Sequence, residues 1–189
     1  MRGMKIGILG GSFNPPHIGH GHISLVALKR LKLDRVWWVV SPGNPLKSHD
    51  GLAPLPQRMK WCKKLSSHPR IEVTDLEQVR KTPYTYETML YLRDRHPDIS
   101  FVWLMGADSL VNFHKWKCWE ELASLVPMAV IDRPGFRQKA MSSRFAKSGR
   151  FHQIKESQAP LLPDYFGGKW AYLTSRQYKI SSTEIRNAN

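Results

Sequence analysis

At 189 residues with 41% apolar side chains, the chain has the size and composition of one globular unit spanning 1–189, and a disordered or fibrous polypeptide is excluded. Two cysteines, Cys62 and Cys118, are too few for a disulfide framework, and no apolar run matches a membrane span or a secretory signal, so a cytoplasmic protein without a membrane partner is expected. The formal net charge of +14 implies acidic partners, whether nucleotides, polyphosphate or nucleic acid, without choosing among them.

The first predicted element is the apolar run Ile6-Gly7-Ile8-Leu9, of the kind a buried parallel strand needs. Gly10, Gly11, Ser12 and Asn14 then form a turn. Pro16 sits at or just before the first helical position, where a missing N–H is harmless. The following helix, to about Leu31, carries His17 and His20 in its first turn, so both rings share one face. A strand, a glycine turn and a helix N-terminus leave unpaired N–H groups and a positive dipole end at one spot. Two imidazoles beside that spot suit a phosphate that gains negative charge during reaction. The stretch has no G-x-G-x-x-G, and the chain has no G-x-x-x-x-G-K-[ST], so neither the dinucleotide fingerprint nor the P-loop applies.

Arg35-Val-Trp-Trp-Val-Val40 reads as a second buried strand, and 41–51 as a loop containing Lys47 and His49. Because that loop follows a strand's C-terminal end, it lies where open α/β sheets bind ligands. Leu55 to Leu65 looks helical, with Arg58, Lys60, Lys63 and Lys64 expected to face out. Ile71–Val73 is a third strand. Thr85 is a suitable N-cap for a helix over Tyr86–Arg95. Phe101–Met105 is a fourth strand, running into Gly106-Ala-Asp108-Ser, a second strand-to-helix turn at the same sheet edge as Gly10. An aromatic and basic segment with Phe113, Trp116 and Trp119 leads into a helix over Trp119–Leu125. Met128–Ile131 is a fifth strand. From 137 to 163 the signal degrades to one weakly amphipathic helix around Ala140 and Phe145. Trp170–Leu173 is the last strand candidate. His114 and Cys118 could share a helical face, but two ligands do not make a structural zinc site, and no metal-ligating residue is predicted.

Near the end, Ser181-Ser-Thr-Glu184 matches a capping box, with Ser181 as N-cap. Such a helix start exposes the N–H groups and hydroxyls of Ser182 and Thr183, with Arg186 one turn on, as a second phosphate cradle. Strand and helix patterns alternate along most of the chain. The expected fold is therefore α/β: a doubly wound, mostly parallel, Rossmann-like sheet with helices on both faces.

Gly-Ser-Phe-Asn-Pro-Pro-His-Ile-Gly-His resembles the signature of the nucleotidylyltransferase superfamily, a glycine turn followed by His-x-Gly-His. Ile-Ser-Ser-Thr-Glu-Ile-Arg resembles its C-terminal motif, near 178–189. Between them, Thr-Pro-Tyr-Thr-Tyr-Glu-Thr-Met-Leu and Gly-Ala-Asp-Ser with Phe-His-Lys-Trp are similar to one branch, the bacterial nicotinate-nucleotide adenylyltransferases. That resemblance implies ATP and nicotinate mononucleotide as substrates, with deamido-NAD and pyrophosphate as products. It implies catalysis by His17, His20 and Arg186, with at least one imidazole charged. ATP would be held by Gly10, Gly11, Ser12, Phe13, His17, His20, Ser182, Thr183 and Arg186. The mononucleotide would meet Asn14, Lys47, Thr85, Asp108 and Trp116, the last stacking on its ring. Mg²⁺ would be held mainly by substrate phosphates. Three rivals remain at this level: an adenylyltransferase for nicotinamide mononucleotide or phosphopantetheine, an RNA-binding module resting on the basic, aromatic stretch 133–152, and a regulatory sensor that binds ATP and leaves it intact. Nothing in that stretch matches a recognised RNA-binding signature, so a nucleic-acid partner is disfavoured.

Overall fold

A run that is apolar on both faces can be satisfied only inside a sheet covered on both sides. The computed structural model describes residues 3–43, 50–176, 178 and 180–187. In it β1 (Lys5–Gly11) leads through α1 (Ile18–Arg30) to β2 (Arg35–Val40), α2 (Leu55–Leu65) and β3 (Ile71–Thr74). Then come α3 (Leu76–Val79), α4 (Thr85–Arg95), β4 (Ser100–Gly106), α5 (Ala107–Val111) and a 3₁₀ turn at Phe113–Lys115. The second half runs α6 (Trp119–Leu125), β5 (Met128–Ile131), α7 (Arg137–Met141), α8 (Arg144–Lys147), β6 (His152–Ile154), a 3₁₀ segment at Glu156–Asp164, β7 (Lys169–Leu173) and α9 (Ser182–Asn187).

The strands form one seven-stranded sheet in the order β3-β2-β1-β4-β5-β7-β6, and every described pairing is parallel. The chain winds outward from β1 to β3, then crosses back to β4 on the other side of β1. The order therefore reverses between β1 and β4, and the crevice outside their C-terminal ends is where such sheets take ligands. Alternation along the strands sorts the core. Ile6, Ile8, Phe101, Trp103, Met105, Met128 and Val130 meet Met89, Leu110, Leu122 and Phe145 on one face. Leu9, Val36, Trp38, Val102, Leu104, Ala129 and Ile131 meet Ile23, Ala27, Leu28 and Cys62 on the other. Helices thus cover both faces, as expected. No helix among the described residues is long and apolar enough to cross a membrane.

The departures from expectation are local. α1 begins at Ile18, so His17 is its N-cap rather than a first-turn residue. α4 begins at Thr85, with Tyr84 at the N-cap, because Thr82 rather than Thr85 accepts the local N–H bond, from Tyr84 (3.2 Å). Arg58 does not face out: it is 1% exposed, drawn inward by carbonyl oxygens. Segment 137–163 holds two short helices, β6 and the 3₁₀ segment, where only one helix was legible. β6 is a three-residue edge strand whose His152 and Gln153 stay exposed, so it carries no apolar alternation to read.

The glycine turn is shaped by what packs beneath it. A Cβ on Gly10 would stand 2.4 Å from Cη2 of Trp103, whose ring is itself buried and cannot retreat. Gly10→Ala should therefore lower unfolding stability by about 1–3 kcal/mol through overpacking, measured by urea denaturation. An unchanged midpoint would mean the ring has room to move.

Candidate active site

The sheet's ligand-binding edge is built first by the turn after β1. Phe13 adopts a left-handed backbone conformation (φ 48°), which turns its ring down into the core. There it stacks on Trp38 at 5.2 Å between centroids and touches the His20 ring at 4.7 Å. Trp38 Nε1–H donates to Ser24 Oγ (2.7 Å), and that hydroxyl donates to the carbonyl of His20 (2.9 Å). His20 is thus held from below at both ring and backbone.

The two histidines cap α1 reciprocally. The Gly19 N–H donates to His17 Nδ1 (3.1 Å), and the His17 N–H donates to His20 Nδ1 (3.1 Å). This is a capping box built from imidazoles instead of hydroxyl and carboxylate. Its glycine is required by close approach: a Cβ on Gly19 would lie 2.9 Å from the His17 ring. Because both Nδ1 atoms accept, the proton of each neutral ring sits on Nε2, leaving two N–H donors side by side with ring centroids 3.9 Å apart.

Electrostatics agree with that tautomer. Burial, then the charge of Arg133, lowers His17 to about 4, while Asp108 and Glu184 pull weakly the other way. Burial, then His17 and Arg133, lowers His20 to about 3. Both cues favour neutral rings, since protonating either Nδ1 would set two donors against each other in the cap; the imidazolium that the resemblance implies would need the charge of a polyphosphate beside the rings.

α9 completes the edge from the far end of the chain. Its N-cap Ser181 accepts the Glu184 N–H (3.2 Å), as the capping motif required. Ser182 Oγ donates to the carbonyl of Pro15 (2.8 Å), and Arg186 donates through Nη1 to the carbonyl of Asn14 and through Nη2 to Thr183 Oγ1 (3.4 Å). Arg133, immediately after β5, ties the edge together. Its Nη1 pairs with Asp108 Oδ2 (3.0 Å) in the first turn of α5, and its Nη2 donates to the carbonyl of Ile180 (2.5 Å) just before α9. Asp108 Oδ1 is buried with no hydrogen-bond partner among the described residues. Arg133 carries no motif of its own. The one signal that could have found it was its place after a strand's C-terminal end.

A second group of predicted residues flanks this edge. Thr85 opens α4, and Trp116 follows the 3₁₀ turn, half-buried and edge-on to Trp103 and Phe113 at 5.9 and 5.4 Å between centroids. Lys117 joins the two segments: its Nζ pairs with Glu87 of α4 (2.9 Å) and lies 4.0 Å from the ring centre of Tyr84. Asn14 is buried, with its amide holding the loop before α2: Nδ2–H donates to Gly51 O (2.9 Å), and Oδ1 accepts from Ala53 N–H (3.2 Å). Lys47 and His49 lie outside the described residues. Chemically the edge offers imidazole, guanidinium, hydroxyl and backbone donors, a set that suits a polyanion. No cluster of three or more His, Cys, Asp or Glu placed to hold a metal ion occurs among the described residues.

Comparison with known proteins follows the same line. Residues 8–188 match the cytidylyltransferase-like family model. The chain is 45% identical over 188 residues to a Rhizobium johnstonii protein, covering all of this chain and 94% of that one. It is 49% identical over 184 residues to one from Bradyrhizobium sp. strain BTAi1, covering 97% and 96%. It is also 49% identical over 183 residues to one from Methylorubrum extorquens, covering 97% and 99%. Each relative carries the name "Probable nicotinate-nucleotide adenylyltransferase". Among solved structures, the Plasmodium falciparum nicotinic acid mononucleotide adenylyltransferase complexed with NaAD shares the fold, at TM-score 0.73 and 21% identity over 97% of this chain and 83% of that one.

The histidine pair makes stability depend on pH. Both groups sit below their ordinary 6.5 in the folded chain, so unfolded chain binds protons more readily. Their contribution is complete above about pH 6.5 and is lost as pH falls toward 4 for His17 and 3 for His20. The melting midpoint should fall between pH 7 and pH 4. It should fall less in His17→Asn, which keeps a capping acceptor and removes a titrating ring. Equal slopes in both proteins would assign the acid sensitivity elsewhere.

Proposed function

The chain belongs to the cytidylyltransferase-like family, and from that premise we propose that it transfers the adenylyl group of ATP to nicotinate mononucleotide in NAD biosynthesis, giving deamido-NAD and pyrophosphate. One observation carries the reading at the level of the site. The imidazole pair at the start of α1 and the hydroxyl-bearing tip of α9 are joined through Asn14 and Pro15 at a single sheet edge.

In this reaction an oxygen of the mononucleotide 5′-phosphate attacks the α-phosphorus of ATP in line. The bond from that phosphorus to its bridging oxygen breaks, and pyrophosphate leaves with the electron pair. The attacking oxygen is already anionic, so no general base is needed, and catalysis is alignment plus charge stabilisation. His17 and His20 donate from Nε2 to the α-phosphate oxygens, each still neutral and still capping α1. The turn from Gly10 and Gly11 through Ser12 and Phe13 presents backbone N–H groups to a nucleotide phosphate. Ser182, Thr183 and Arg186 hold the β and γ phosphates. Mg²⁺ would be held mainly by the substrate's own phosphate oxygens and would neutralise part of their charge, while the protein's donors meet the remaining oxygens.

For the acceptor, the half-buried Trp116 stacks on the pyridine ring. Thr85, at the first turn of α4, offers its hydroxyl and N–H to the nicotinate carboxylate. Asp108, beside this edge, accepts a ribose hydroxyl. Asn14 shapes the loop before α2 through Gly51 and Ala53.

The test is a pyrophosphate-release assay with ATP and either the acid or the amide of the mononucleotide. Turnover should strongly favour the acid; preference for the amide, or none for either, would overturn the reading. His20→Ala should lower kcat by about 100-fold or more while the Kd for ATP changes far less. Equal losses would make the ring a binding group only. Trp116→Ala should raise KM for the mononucleotide and leave KM for ATP nearly unchanged. An unaltered mononucleotide KM would return the indole to the core.

A further inference from the structure

One buried cation beneath the site has no role in the chemistry above. Arg58 lies on α2 and is 1% exposed. Its Nε–H donates to Ala53 O (2.7 Å), Nη1 to Ser12 O (2.7 Å) and Ser41 O (2.6 Å), and Nη2 to Pro42 O (3.1 Å). Every one of these bonds ends on a backbone carbonyl. The nearby Cys62 supplies no anion, since burial pushes its thiol up to about 12. Burying a guanidinium is costly, and the cost is offset here by four carbonyl acceptors that an apolar side chain of similar volume would leave without this donor. What only the planar fork supplies is geometry, because it fixes several acceptors from different segments in one arrangement.

Those segments are the ones that matter. Ser12 belongs to the turn ahead of His17, Ser41 and Pro42 follow β2, and Ala53 precedes α2. Asn14 stitches the same two regions together through Gly51 and Ala53, and its carbonyl receives Arg186 from α9. Segment 12–15 is therefore gripped on one side by α2 and the loop after β2, and on the other by α9. We propose that Arg58 is a positioning residue for adenylyl transfer: its guanidinium sets the glycine turn against the loop after β2, so that the two phosphates brought to the edge meet in line. The inference rests on the transfer reaction proposed above.

The variants are Arg58→Met, which keeps much of the volume and removes the charge, and Arg58→Lys, which keeps the charge and loses the fork. Both are assayed by pyrophosphate release with ATP and nicotinate mononucleotide, well below each variant's melting temperature. Misalignment on the scale of 1 Å should lower kcat by about 100-fold in Arg58→Met and about tenfold or more in Arg58→Lys, with each KM within about threefold of wild type. A folded variant with wild-type kcat, or losses confined to KM, would overturn the proposal. So would failure of both variants to fold, which would assign Arg58 to stability alone. Wild type inactive in the same assay would instead sink the functional reading, whereas active wild type beside fully active variants would sink only this inference.

Discussion

The reciprocal cap between His17 and His20 is the interaction on which the rest of the site depends. A helix N-terminus has orphan N–H groups that something must satisfy, and usually a small hydroxyl or carboxylate does so. Here each imidazole spends Nδ1 on the backbone and keeps Nε2–H without a hydrogen-bond partner among the described residues. One act of capping thus ends the turn, starts the helix, selects the tautomer of both rings and sets them 3.9 Å apart. Protonation is incompatible with the cap, which is why burial and the nearby Arg133 charge can hold both rings neutral without cost to the helix. A pair of neutral donors approaching one anion avoids the mutual repulsion of two cations in a buried place.

Around that cap, elements distant along the chain are drawn in by a few hydrogen bonds. The sheet's switch between β1 and β4 leaves a crevice, and the residues that line it come from strand ends or from what directly follows them. Arg133 after β5 reaches both Asp108 after β4 and the carbonyl of Ile180. α9 has only six residues and would not hold together alone, so it depends on docking to Asn14 and Pro15. The C-terminal cradle is therefore no independent module. It is shaped by the same turn that carries the histidines.

The large positive charge divides into unlike parts. Exposed pairs such as Arg150–Glu120 and Lys117–Glu87 are surface ion pairs, which contribute little to stability individually. Arg133 is partly buried and works as a tie between elements. Arg58 is fully inside and meets only carbonyl oxygens. Counting basic residues points to an acidic partner, but the count cannot separate a solvated lysine from a guanidinium that organises the turn.

Much of the fold was legible because the strands are buried on both faces. Arg35–Val40 and Met128–Ile131 have the bounds read from their apolar runs, and the helices Leu55–Leu65 and Trp119–Leu125 fall where expected. The histidine pair and the Ser181 cap were legible too, since each is a local pattern of a few residues whose meaning comes from backbone geometry. Tertiary structure alone decided the rest. The inward turn of Arg58, the tie made by Arg133, the loop-holding amide of Asn14 and the edge strand at His152–Ile154 have no local signature. Each depends on which carbonyl or carboxylate the folded sheet brings within hydrogen-bond reach, and a period-2 or period-3.6 pattern records only which face is apolar. Sequence by itself determined the layered sheet and the two ends of the candidate site. Only folding determined that both ends rest on the four residues from Ser12 to Pro15, because long-range hydrogen bonds to backbone atoms leave no mark on the identity of the residues that accept them.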